Sequence, residues 1–161
     1  MVIATRVFLV LVVLLACVGC DQSTKRFAEA KLPGSQPLSF LADTVRLQTV
    51  KNTGAFLGMG QSAPRPWRLA ALRWGVAMLL AGLLAYAVFA SHTAPSTVFA
   101  LALIFSGGVS NLIDRMTNDG YVVDFINLGI GTLRTGIFNV ADVAITLGAL
   151  LLVMAQAHRH G

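Results

Sequence analysis

Charge is scarce in this sequence. Asp, Glu, Lys and Arg make up 12% of its 161 residues, about half the roughly 25% of an ordinary soluble domain, while 56% of the chain is hydrophobic. That balance excludes a soluble globular domain and fits several membrane-spanning helices of about 20 residues each. Cysteine is nearly absent too: Cys17 and Cys20 both lie in the first apolar run, so neither a disulfide framework nor a four-ligand zinc site is available. The net charge of +5 comes from basic residues scattered through loops and segment edges rather than gathered in a stripe. Nucleic acid is therefore not the expected partner, and anionic lipid head groups account for the excess.

What is present is a series of apolar runs. The first, over residues 7–20 behind Arg6, reads either as a signal-peptide core or as a short span. Leu14-Leu15-Ala16-Cys17 and Cys17-Val18-Gly19-Cys20 each meet a lipoprotein cleavage pattern only in part, and three more apolar segments follow. A span over about 3–24 is expected, with Arg6 snorkelling to one interface and Asp21 and Lys25 forming an i, i+4 pair at the other. Further spans are expected over 69–90, 96–112 and 137–157, with Trp67 and Trp74 as interfacial anchors and Arg73 snorkelling. The fold class is thus an all-α polytopic membrane protein, one membrane domain over 1–161 with four transmembrane helices. Loops 26–66 and 115–136 share one side. The first is broken by Pro33-Gly34, Pro37, Pro64 and Pro66, and its residues 44–50 alternate with period two, which predicts a short strand and a small extramembrane β element.

Against this apolar background the acids stand out. Residues 111–146 read NLIDRMTNDGYVVDFINLGIGTLRTGIFNVADVAIT, where Asp124 follows Tyr-Val-Val and Asp142 sits in an apolar run beginning at Ile137. A charge near hydrocarbon costs at least ~2.5 kcal/mol, so an acid there is a functional hypothesis by default. Gly107, Asn111 and Asp114 fall on one helical face, and Asn139, Asp142 and Thr146 on another; Asp142 is expected roughly 7–8 Å below the start of its helix. Two carboxylates held close share a proton, which suits water-mediated peptide hydrolysis: the ionised member activates water and the protonated member donates to the scissile carbonyl. That chemistry needs no cofactor and no metal. His92, His158 and His160 fall at the opposite membrane face, and no Ser-His or Cys-His arrangement is visible. A structural polar network and an ion or proton pathway stay open beside the dyad, although the fourth segment is apolar from Thr146 to Gln156, which fits a one-sided cavity better than a conduit.

The ordered set Asp21-Gln22-Ser23-Thr24-Lys25, Asn52-Thr53-Gly54-Ala55, Asn111-Leu112-Ile113-Asp114-Arg115, Gly120-Tyr121-Val122-Val123-Asp124-Phe125 and Phe138-Asn139-Val140-Ala141-Asp142 resembles bacterial lipoprotein signal peptidase, also called signal peptidase II. The resemblance spans nearly the whole chain. It implies a four-helix aspartyl endopeptidase of the bacterial inner membrane that removes the signal peptide of prolipoproteins just before a diacylglyceryl-modified cysteine; a monomer is the expected state. Its partners would be those precursors and the surrounding lipids. By the same resemblance Asp124 and Asp142 would be the catalytic dyad, with Asn111, Arg115 and Asn139 positioning dyad or substrate. Asp114 would brace the third helix, Asn52, Gly54 and Ala55 would belong to a loop over the site, and Asp21 with Lys25 to the top of the first helix; Ala141 stands in the last motif. Phe56 departs from the second alanine common after Asn-x-Gly-Ala. A non-catalytic relative would be marked by loss of an acid, and both are present. The resemblance also implies cytoplasmic termini and a periplasmic site. The charge rule opposes this, since of the twelve Lys and Arg residues only Arg6 and Arg159 fall on the terminal side.

Overall fold

Residues 1–32, 36–54, 60, 62–91 and 93–160 are described by a computed structural model. The first apolar run becomes helix α1, Ile3–Lys31, and continues well past the expected end near Thr24. It can do so because Asp21, Lys25 and Ala28, at i, i+4 and i+7, form one buried face whose polar members find partners on neighbouring elements. The Asp21–Lys25 pair is accordingly buried rather than interfacial.

The second span is built from α2 (Arg65–Ala70), one π turn (Ala71–Gly75) and α3 (Val76–Phe89). Trp67 and Trp74 are exposed on it, as anchors in an interface would be. Its far end corrects the expectation for Arg6. That side chain is only 5% exposed, and its guanidinium donates to the carbonyls of Ala90 at 2.6 Å and Val88 at 3.3 Å. Carbonyls at a helix C-terminus lack intrahelical partners and carry the negative end of the helix dipole, so a cation is favoured there over a snorkelling position. Arg73 likewise turns inward, its Nε donating to the Arg115 carbonyl at 2.9 Å.

Helix α4, Pro95–Thr117, runs a turn past residue 112, so Asn111, Asp114 and Arg115 all lie on it. Helix α5 is Val140–His160. The two pack closely through glycine: a Cβ on Gly148 would come within 2.6 Å of the Ala100 carbonyl, and one on Gly107 would run into the carbonyl of Ala141. Helices Ile3–Lys31, Arg65–Phe89 and Pro95–Thr117 are long and apolar enough to cross a membrane, and α5 adds a shorter apolar stretch, Val140–Ala155. Val10, Val13, Leu80, Ala102 and Phe105 knit α1, α3 and α4 into one buried cluster.

The segments between the long helices join into an antiparallel sheet of order β1 (Leu38–Phe40), β2 (Val45–Asn52), β3 (Val122–Ile130) and β4 (Leu133–Arg134). The strand predicted over 44–50 is β2. Its neighbour β3, with Val50 opposite Asp124 and Asn52 opposite Val122, arises where only a loop was expected. On its other side Ile126 exchanges two backbone hydrogen bonds of 2.9 Å with Phe138. That bridge delivers the chain to Asn139 beside Asp124 and sets the start of α5.

Candidate functional site

The local reason that α5 starts at Val140, three residues later than expected, is a reciprocal cap. The Asn139 side-chain oxygen accepts the Asp142 backbone N–H at 2.9 Å, and the Asp142 carboxylate accepts the Asn139 N–H at 3.3 Å. Two orphan donors of the first turn are thereby satisfied. Asp142 lies in that first turn rather than 7–8 Å down the helix, at the positive end of its dipole. The free end of the Asn139 amide reaches across to β3 and donates to Asp124 Oδ1 at 2.6 Å. One asparagine thus touches both acids.

Each carboxylate receives two donors. Asp124 Oδ2 accepts Asn52 Nδ2 at 2.9 Å, and Asp142 Oδ1 accepts Asn111 Nδ2 at 2.9 Å. Asp124 is 2% exposed and Asp142 7%. Burial pushes the Asp124 carboxyl up to about 6; the hydrogen bond from Asn52 opposes this and the charge of Asp142 adds to it. Both acids line a cavity of about 200 Å³ together with Asn52, Asn111 and Arg115, its other walls coming from apolar side chains of the second span, β3 and α5. A roomier cleft of about 440 Å³ between α1 and α3 is lined by apolar side chains, Phe105 of α4 among them, and offers no chemistry.

The remaining residues singled out in the sequence fall around this centre. Arg115 donates through Nη2 to the Gly54 carbonyl at 2.9 Å and through Nη1 to the Asn111 carbonyl at 3.3 Å. The Gly54 N–H donates to Asn52 Oδ1 at 2.9 Å. Ala55 and Phe56 lie outside the described residues. Behind Asn111 sits an ion cluster: Lys25 Nζ is 2.6 Å from Asp21 Oδ2 and 2.8 Å from Asp114 Oδ2. Asp114 therefore pairs with Lys25 of α1, not with its neighbour Arg115. Asp21 Oδ1 accepts the Ala141 backbone N–H at 2.9 Å, which ties α1 to the first turn of α5. Thr146 stands apart, its hydroxyl bonded to the Asp142 carbonyl of its own helix. Sequence reasoning passed over Gln22 and Ser110, which donate to Asp114 Oδ1 and Asp21 Oδ2 at 2.7 Å each. The available signal was position: Ser110 lies one turn from Asp114 on the same face.

Comparison with known proteins gives the family and the fold. The profile described as signal peptidase (SPase) II matches residues 13–158. Lipoprotein signal peptidase of Chlorobium phaeobacteroides (strain BS1) is 36% identical over 143 residues, covering 83% of this chain and 86% of its own. That of Paraburkholderia phymatum is 38% identical over 142 residues, covering 86% and 81%. A bacterial membrane enzyme solved by the in meso method at 2.3 Å resolution superposes with a TM-score of 0.79 over 98% of this chain and 90% of its own, at 23% identity. At that identity the likeness speaks for the fold.

Proposed function

Because the chain belongs to the signal peptidase II family, we propose that it is the endopeptidase that cuts the signal peptide from diacylglyceryl-modified prolipoproteins just before the lipidated cysteine, with Asp124 and Asp142 as its catalytic dyad. The observation that carries the reading is the pair itself: two buried carboxylates from different elements, tied through Asn139 and facing one cavity. With one proton between them, the ionised acid draws a proton from water as the hydroxide adds to the scissile carbon, and the other acid donates its proton to the carbonyl oxygen; on collapse the first acid passes its proton to the amine as the C–N bond breaks, and the oxygen's proton returns to the second carboxylate. Arg115 and the amides hold the acids and the strand ends around them. The apolar walls suit a signal segment rather than a polar peptide.

The same reading takes α5 as a fourth span and the chain as one monomeric domain of the inner membrane, with cytoplasmic termini and the sheet and acids on the periplasmic side. The basic residues that share that side are then available to anionic head groups. An impermeant label that reaches Gly161 in intact cells would reverse this orientation.

The test is cleavage of a diacylglyceryl-modified precursor by purified protein in detergent with chelator present. Wild type is expected to cut at the bond before the modified cysteine, and Asp142→Asn to fold and lose the activity by at least about a thousandfold, the scale on which removal of an acting group shows itself. Processing by Asp142→Asn at the wild-type rate would defeat the aspartyl assignment.

A further inference from the structure

We infer that Lys25 is a positioning residue of the dyad: its ammonium fixes which way the Asn111 amide faces and thereby commits the Asn111 NH2 to Asp142. The inference rests on the dyad reading above for its consequence, not for its geometry.

A carboxamide presents a donor and an acceptor of nearly the same shape, and which end faces a carboxylate is decided by its other partners. Three asparagines serve the acids, and each is met at its oxygen by a group that can only donate. For Asn52 that group is the Gly54 N–H, at 2.9 Å, which leaves Nδ2 for Asp124. For Asn139 it is the Asp142 backbone N–H, at 2.9 Å, which leaves Nδ2 for Asp124 and, at 3.2 Å, for Asn111 Oδ1. For Asn111 it is Lys25 Nζ, at 3.0 Å, which leaves Nδ2 for Asp142. Two of these locks are backbone. The third is made by side chains, the Lys25 ammonium at 3.0 Å and Asn139 Nδ2 at 3.2 Å.

An ammonium has three donors and no acceptor. Those of Lys25 are directed at Asp21 Oδ2, Asp114 Oδ2 and Asn111 Oδ1. Both carboxylates are held in turn, Asp21 by Ser110 and the Ala141 N–H, Asp114 by Gln22. The lysine therefore has no freedom to turn away. Without it, only the longer hydrogen bond from Asn139 Nδ2, at 3.2 Å, holds the Asn111 oxygen, and the amide is tied less firmly to the orientation that gives its NH2 to Asp142. The cluster thus acts on the acid that works at the cavity from a layer behind it.

Lys25→Gln alone would leave two buried carboxylates without their cation, and such a loss unfolds proteins. The informative variant is Lys25→Gln with Asp114→Asn, which keeps the net charge of the cluster, compared with Asp114→Asn alone. In 15N-asparagine-labelled protein in detergent, the Asn111 side-chain amide, identified by its loss in Asn111→Ala, is expected to exchange slowly with solvent in Asp114→Asn and at least tenfold faster in the double variant. The kcat for a diacylglyceryl-modified precursor is expected to fall a further roughly hundredfold, the scale of a lost preorganised donor, with KM within about twofold. Equal amide protection and equal kcat in the two variants would overturn the assignment. Faster exchange in the double variant, found with a wild type that cleaves no precursor, would uphold the positioning role and remove the proposed reaction instead.

Discussion

Asp124 stands on β3 among Val122, Val123 and Phe125, all buried, and folding must take its carboxyl out of water with them. That burial, first among the causes, sets the group near 6 instead of the ordinary 3.8. The sign follows directly. The folded chain holds the proton more tightly than the unfolded one, so stability falls as pH rises from about 4 to about 6 and levels off above, a loss of order 3 kcal/mol. Asp124→Asn should flatten this dependence in thermal unfolding across that range. The same proton enters the chemistry: kcat/KM, which reports the free enzyme, is expected to decline as pH rises through about 6, as Asp124 loses it. A profile flat from pH 5 to 8 would take Asp124 out of the dyad.

Among elements, the contact of α4 with α5 fixes where Asp142 sits. Gly107→Ala would push a methyl against the Ala141 carbonyl, one residue from the acid, and is expected to cost about 1–3 kcal/mol of stability and to lower kcat with it. Gly19→Ala on α1, where a Cβ meets nothing within 4 Å, should do neither; thermal unfolding and precursor cleavage of both variants make the comparison. The helices were legible in the sequence because long apolar runs admit few alternatives, and β2 because its apolar and polar residues alternate from Val45 to Gln48. Strand β3 was not, because Val122 to Phe125 are buried without a break and a strand covered on both faces loses its period of two. The cap was hidden for a related reason. Ile137 and Phe138 are apolar and read as a first helical turn, yet Phe138 spends its backbone on Ile126, so the helix waits for Asn139. The Asn-x-x-Asp spacing was the cue that this start leaves in a sequence.

Taken whole, the molecule is a helical body with a sheet at one end and its acids at the seam. Both acids were visible in the sequence as charges in apolar surroundings. That they would meet was not, since Asp124 and Asp142 are joined through a bridge between β3 and residue 138 that no local pattern encodes. Nor was the burial of Lys25 legible, because its partners Asp114 and Asn111 come from a helix some ninety positions away. The placement of Asp142 in the first turn of α5, Val140–His160, has a consequence of its own. On the reading that takes α5 as a span, its 21 residues measure roughly 32 Å at 1.5 Å per residue, close to the roughly 30 Å of hydrocarbon in a typical bilayer. A thicker bilayer is met by thinning the lipid around the helix or by sinking, and the end of the helix carries the acid with it. Bilayer thickness then becomes a determinant of rate: in phosphatidylcholine vesicles of increasing acyl length, cleavage by this protein is expected to slow as its acid is drawn toward the oil.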